Sequence, residues 1–304
     1  MLRHRRVWML GATGAFLLAF GWNASVRSAA PKPLDWAKLN PAFAGAKYVN
    51  DPETCRTCHE GSMDTYSKTK HAHTVAAKAP AGAGDCETCH GPRSQHVIDA
   101  DAKLALPAKA QSAVCLQCHQ GGARMTWKSG PHESGDVSCA SCHNVMAPKS
   151  EKAMLAKPAT ADLCITCHAD VRSDLNKMSH HPVKEGRMDC ASCHNTHGAT
   201  EGLLIKDTLN DTCLTCHADK RGPFVWEHAP VRESCANCHT PHGSNNRNLM
   251  VAKDSSMCLT CHSYGGHINL QRYNRVSNPY GSGCVNCHIT THGSNHPSGA
   301  KFTR

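Results

Sequence analysis

Apolar positions in this chain are scattered rather than banded. One run stands out, residues 7–22, which is broken by Gly11 and Gly14 and preceded by Arg3, Arg5 and Arg6. After residue 30 no long apolar stretch follows. This pattern predicts mostly coil with short α-helices and almost no β-structure. The Ala- and Lys-rich linkers predict short surface helices over residues 99–106 and 149–157, ended by Pro107 and Pro158. Residues 31–54, with Pro31, Pro33, Pro41 and Pro52, predict an extended lead-in. Residues 276–283 hold Asn278, Pro279, Gly281 and Gly283 and predict a loop.

Composition sharpens the problem. The chain has 304 residues and only 5% aromatics, with a mean hydropathy of −0.46. Side chains this polar cannot offset the conformational entropy of folding on their own. Something other than side chains must supply the core.

The cysteines supply the answer. All twenty fall into ten copies of C-x-x-C-H, the attachment motif of c-type haem. The pairs are Cys55 and Cys58, Cys86 and Cys89, Cys115 and Cys118, Cys139 and Cys142, Cys164 and Cys167, Cys190 and Cys193, Cys213 and Cys216, Cys235 and Cys238, Cys258 and Cys261, and Cys284 and Cys287. In each motif the two thiols add to the haem vinyl groups. The next residue reaches the iron from one side: His59, His90, His119, His143, His168, His194, His217, His239, His262 and His288. A zinc site does not require a His after every pair, so zinc is set aside. Ten haems amount to about one per 27 residues of 31–304, which provides the missing apolar mass. The expected fold is a haem-cored multihaem cytochrome c over residues 55–304, with haems 1–5 in about 55–168 and haems 6–10 in about 190–288. Each motif should occupy about one helical turn, and the chain without haem should be unfolded. The lead-in would lie along a partner or cap the first haem.

The remaining histidines look like second axial ligands. The chain has 23 His; setting aside the ten proximal ones and His4 leaves twelve for ten distal places. The motifs start 22–31 residues apart, a repeat best taken two haems at a time, giving five units. Trailing histidines follow four even motifs: His96, His197, His242 and His292. Each is available to its own iron or to a neighbour's. Between the motifs of each unit lies another: His71 or His73, His132, His180 or His181, His228, and His267. His71 follows Tyr66 by five residues as His132 follows Trp127, which favours His71 over His73. His180-His181-Pro182-Val183 is like His228-Ala229-Pro230-Val231, which favours His180. In the second unit Met146 stands where the trailing His should be, so the tenth place falls to Met146 or His296. A Met ligand would raise that haem's potential relative to its neighbours.

Charge removes one class of function. The formal net charge is +9, but Arg3, Arg5, Arg6 and Arg27 lie in the first 30 residues, which hold no acid, so the remainder carries +5. Twenty ionised propionates and ten ferric cores would bring that to −5. There is no basic patch interleaved with aromatics, and nucleic-acid binding is excluded. The first 30 residues read as a cleaved secretory signal peptide: a basic start, the apolar run, then Ser28-Ala29-Ala30 before Pro31. This expectation places the protein in a bacterial periplasm, where haem attachment occurs.

Three stretches are distinctive: RMTWKSGPHESGDVSCASCH, RGPFVWEHAPVRESCANCHTPHGS and CVNCHITTHGSNHPSG. With ten motifs in order over nearly the whole chain after residue 30, they resemble the MtrA-type periplasmic decahaem cytochromes, which include MtoA, PioA and the DmsE branch. The resemblance implies an elongated haem wire with sparse secondary structure, threaded inside an outer-membrane porin-type β-barrel. It implies exchange of electrons with periplasmic cytochromes on one side and with an extracellular multihaem cytochrome, Fe(II) or a metal oxide on the other. In the family the His in the middle of the third unit directly precedes Pro, which implies His181. The family usually carries His where this chain has Met146.

A wire also follows from the physics. Tunnelling weakens steeply with distance, and so little protein per haem forces haem edges together. Ten haems in single file at roughly 10 Å each would reach roughly 100 Å, more than the 40–45 Å of a bilayer with its headgroups. Bare loops cannot sit in lipid, so a closed barrel would have to surround them. Irons ligated on both faces leave no place for substrate. A nitrite- or hydroxylamine-type reductase would need an open haem, often with C-x-x-C-K, and no such variant is present. The expectation is therefore an electron-transfer protein and not an enzyme, the alternative being a soluble periplasmic shuttle.

Overall fold

The computed structural model describes residues 34–75, 86–101, 104–198, 200–263, 283–297 and 299–303. The signal segment, most of the 276–283 loop and His267 lie outside the described residues.

The C-x-x-C-H spacing dictates its own local structure. From motif 2 onward the His N–H donates to the carbonyl of the first Cys: His90 to Cys86 and His217 to Cys213 at 3.0 Å, His143 to Cys139 at 2.9 Å. That closes one α-turn, which puts residues i, i+3 and i+4 on one face. Odd motifs end a helix that leads into them, as in Ala108–Leu116, Thr160–Cys164, Leu209–Cys213 and Asp254–Cys258. Most even motifs start a short turn at the first Cys: Cys139–Cys142, Cys190–Ser192, Cys235–Asn237 and Cys284–Asn286. Ser138, Asp189 and Ser234 cap three of these turns, satisfying N–H groups that have no partner inside so short a helix. The helix before an odd motif also holds the next even one. Ser112 Oγ accepts from Cys139 N (3.3 Å), and Asn210 Oδ1 accepts from Cys235 N (2.8 Å).

A side-chain core exists at the N-terminal end. Trp36, Phe43 and Leu104 are buried together, flanked by Leu34, Leu39, Tyr48, Leu106 and Val114. The lead-in is therefore not extended throughout: Trp36–Leu39 is helical, and Pro41–Phe43 forms a 3₁₀ turn. The apolar Trp36 and Phe43 override the prolines by packing on the motif 2 segment. A Cβ on Gly91 would lie 2.6 Å from Trp36. Glu87, 2% exposed, clamps the same contact by accepting from the N–H groups of Val49, Asn50 and Arg93.

Neither predicted linker helix is present among the described residues. Residues 99–101 and 104–107 are non-helical, because Leu104 is drawn into the Trp36 cluster. Pro107 opens the helix Ala108–Leu116 instead of closing one before it. Residues 149–157 return as a loop onto motif 4: Asn144 N donates to Met154 O and Ala156 N to Cys142 O, both at 2.9 Å. This backbone pairing outweighs the helix propensity of Ala and Lys. The same return recurs after motifs 6 and 8, giving isolated bridges His143–Leu155, His194–Leu204 and His239–Met250. Among the described residues the only sheet is β1 (Ser179–His180) paired antiparallel with β2 (Gly243–Ser244).

Candidate functional site

The motif turns and return loops bring the histidines together at one recurring distance. Ring centroids of His59 and His96 are 6.1 Å apart, of His71 and His119 5.9 Å, and of His132 and His168 6.2 Å. His143 and His197 lie at 6.0 Å, His181 and His217 at 6.3 Å, and His194 and His242 at 6.0 Å. His228 and His262 lie at 6.1 Å, and His239 and His292 at 6.2 Å. Two metal–imidazole bonds of about 2 Å each, with the half-widths of both rings, place trans imidazoles roughly 6 Å apart. The residues present thus fit an iron held between each pair. Buried donors without a partner in the polypeptide, among them Trp127 Nε1 beside His197, are also consistent with a polar group supplied from outside the chain.

The pairing follows a rule that the sequence leaves open. A trailing His does not face its own motif. His197 after motif 6 faces motif 4, His242 after motif 8 faces motif 6, and His292 after motif 10 faces motif 8. The histidines between motifs reach forward to the next odd motif, and His96 turns back to motif 1. By this rule the place opposite His90 of motif 2 is the slot after motif 4, which holds Met146. Its backbone is set as that of His197 is: Met146 N donates to Asn144 Oδ1 (3.2 Å), and His197 N to Asn195 Oδ1 (3.3 Å). His180 is directed elsewhere, to Glu185 (3.1 Å) and Lys177 O (2.7 Å). His296 is exposed, in a turn where its N–H donates to Ser294 Oγ.

A further layer was not read from the sequence. In four even motifs the proximal imidazole gives Nδ1–H to a carbonyl of the return loop: His143 to Ala153 (2.7 Å), His194 to Gly202 and His239 to Asn248 (2.8 Å), His288 to Lys301 (2.5 Å). This fixes the tautomer and would leave Nε2 as the atom that binds an iron. The loops achieve it with left-handed residues, Ala153 and Met154, Gly202 and Leu203, Asn248 and Leu249, and Phe302. In three of the four loops a small or Asn residue followed by Met or Leu is the trace of this in the sequence, and in the fourth it is Lys301-Phe302. Burial pushes His71, His197, His242 and His292 below their ordinary value. His90 is exposed by surface area yet ringed by enough polypeptide to be lowered by desolvation, with the Arg93 charge adding to it. Neutral imidazoles present the lone pair that a metal needs.

From motif 2 to motif 10 the cysteines of successive motifs lie close enough to affect one another. The Cys139 thiol is held at about 6, chiefly by its hydrogen bond with Cys115, and Cys190 at about 7 by its bond with Cys164. Cys213 and Cys258 are pushed to about 11 by burial, then by the charges of Cys235 and Cys284. Burial and then a neighbour's charge raise Cys89 (Cys118), Cys142 (Cys167), Cys193 (Cys216) and Cys238 (Cys261). These thiols stand for the thioether sulfurs of the haem-bound protein, and the contacts mark which motifs adjoin. First cysteines join motif 3 to 4, 5 to 6, 7 to 8 and 9 to 10; second cysteines join 2 to 3, 4 to 5, 6 to 7 and 8 to 9.

C-x-x-C-H turns, imidazoles paired about 6 Å apart and a backbone folded around them define a multihaem c-type cytochrome. The doubled CXXCH motif family matches residues 79–124, 130–173, 180–222 and 228–267, pairing motif 2 with 3, 4 with 5, 6 with 7 and 8 with 9. The chain is 38% identical over 289 residues to multiheme cytochrome MtrA of Shewanella baltica (strain OS185), covering 88% of this chain and 86% of that protein. It is 28% identical over 196 residues to the high-molecular-weight cytochrome c of Nitratidesulfovibrio vulgaris (strain Hildenborough), covering 55% of this chain and 31% of that protein. The chain belongs to the MtrA multihaem cytochrome family and is an electron-transfer protein, not an enzyme.

Proposed function

We propose that this chain binds ten haems and carries electrons across the outer membrane inside a porin-type β-barrel. It would link periplasmic cytochromes to an extracellular multihaem cytochrome, Fe(II) or a metal oxide, after export by a signal peptide cleaved near residue 30. Bound haem supplies the one-electron Fe(III)/Fe(II) couple. The residues hold it in a fixed order. The ten cysteine pairs would form the thioethers, and the ten histidines that follow them the proximal ligands. His96, His71, His197, His132, His242, His181, His292 and His228 would be the distal ligands of motifs 1, 3, 4, 5, 6, 7, 8 and 9. Met146 would serve motif 2 and His267 motif 10. His296 then has no axial place to fill.

The observation that carries the reading is the set of eight imidazole pairs, each 5.9–6.3 Å apart between ring centroids, that tie neighbouring motifs together. From motif 2 to motif 10 the cysteines of successive motifs also influence one another's ionisation, which supports a route without gaps. No helix among the described residues is long and apolar enough to cross a membrane, so crossing requires a partner that shields the polar loops. Affinity purification of the tagged protein from outer membranes tests this. A β-barrel protein should co-elute, and the complex in liposomes should reduce an external ferric acceptor at the expense of an internal donor. Recovery of the protein solely in the soluble periplasm, without a barrel, would establish the shuttle instead.

A further inference from the structure

Three distal imidazoles that face odd motifs give Nδ1–H to a backbone carbonyl: His132 to Thr196 (3.1 Å), His181 to Pro241 (2.6 Å) and His228 to Thr291 (3.1 Å). Each of these carbonyls belongs to the residue directly before a trailing His of an even motif. His71, which faces motif 3, departs from this: its Nδ1 lies 3.3 Å from Met154 Sδ. Met154 is the second of the two left-handed residues of the motif 4 return loop (φ +52°), and its counterparts are Leu203, Leu249 and Phe302. The position bears on a distal ring elsewhere too, since Phe302 lies 5.2 Å from His228, ring centre to ring centre. Of the four side chains, only that of Met154 offers an acceptor atom.

An imidazole bound to metal through Nε2 carries its proton on Nδ1 and must donate it. A carbonyl is a strong acceptor and a thioether a weak one. A strong acceptor makes the imidazole a better donor to the metal, which favours ferric iron and lowers the potential. We infer that Met154 is a positioning residue that sets the haem of motif 3 above those of motifs 5, 7 and 9 in potential, by giving His71 a weak acceptor. The inference rests on the ligand assignment proposed above. Met154 touches no iron and acts only through His71. With Met146 in the slot facing His90, the two soft side chains then serve adjoining motifs, 2 and 3.

Two variants of the holoprotein test this, each compared with wild type by spectroelectrochemical titration and each first checked for unchanged haem content. Met154→Gln places a carbonyl acceptor within reach of His71. Met154→Leu installs the residue of the counterpart loops, with no acceptor. The difference titration isolates whichever centre moves. In Met154→Gln, one haem's share of the absorbance change should move to lower potential, with the reduced-to-oxidised ratio at fixed potential falling about tenfold. In Met154→Leu it should stay in place or move up. A Met154→Gln titration superimposable on wild type, or a downward shift in both variants, would overturn the inference. His71→Ala separates this from failure of the ligand assignment. If that variant stays fully low-spin and inert to carbon monoxide, His71 is not a ligand and the underlying reading has failed first.

Discussion

The loops after motifs 4 and 6 trace the same path. In both, the proximal His gives Nδ1–H to a carbonyl of the return segment, an Asn side chain sets the trailing turn, and a left-handed pair closes the loop. The donors differ. Motif 6 is followed by Asn195-Thr196-His197-Gly198 and motif 4 by Asn144-Val145-Met146-Ala147. Motifs 8 and 10 keep the His-Gly of motif 6, as His242-Gly243 and His292-Gly293. The backbone framework is thus independent of the side chain it presents. A change of side chain in one slot would then alter the chemistry of a single proposed centre while leaving the scaffold in place.

The largest effects should come from exchanging ligands between the slots. His197→Ala should open the iron of motif 4, and Met146→Ala that of motif 2. In each case one haem in ten should turn high-spin and take up carbon monoxide. Met146→His should keep every iron closed and lower one centre by a few tenths of a volt, within the ~0.8 V span that axial ligands set. A Met146→His titration identical to wild type would mean that Met146 is packing and not a ligand.

The glycine after the trailing His should come next in size. A Cβ on Gly243 would lie 1.9 Å from Asp174 O, and one on Gly293 2.1 Å from Phe224 Cδ2. Gly243→Ala should destabilise the holoprotein by about 1–3 kcal/mol in thermal or denaturant unfolding, because backbone has to move. At Ala147 the chain already carries a Cβ, so Ala147→Gly should change stability by less. Equal effects at both positions would refute the idea that close approach at Gly243 fixes the contact between β2 and the end of the helix Ala169–Asp174.

The smallest effect separates a bystander from a ligand. The Glu185 hydrogen bond raises the pKa of His180 above its ordinary 6.5, and the same bond lowers that of Glu185. The contribution of His180 is fully present below its ordinary pKa and fades as pH rises through the raised one. That of Glu185 is present above the ordinary carboxylate pKa and fades as pH falls through the lowered one. Glu185→Gln should bring the titration of His180, followed by NMR, back towards 6.5 without altering the haem spectrum. His181→Ala should alter the haem spectrum. A spectral change in Glu185→Gln would place His180 at an iron.

Much of the site is legible in the sequence because covalent attachment demands invariable spacing. The C-x-x-C-H turn and the Tyr66 and Trp127 registers pointing to His71 and His132 are written in residue types. The partner of each trailing His is not, because it depends on how successive motifs adjoin in space. The return loops are equally silent. Their contacts are backbone to backbone, so Ala153, Gly202 and Asn248 serve alike, and residues 149–157 read as a helix by propensity alone. The lead-in is obscure for the opposite reason: its prolines are conspicuous, while the two side chains that matter, Trp36 and Phe43, stand apart from any periodic run.

The central claim is that each iron is clamped by two axial side chains drawn from different motifs. Near-infrared magnetic circular dichroism and EPR of the oxidised holoprotein, with haem content measured on the same sample, test it most directly. The account predicts ten low-spin haems, nine with bis-histidine transitions and one with a methionine–iron charge-transfer band, and no carbon monoxide uptake after reduction. Markedly fewer than ten haems, or several that are high-spin and bind carbon monoxide, would contradict it.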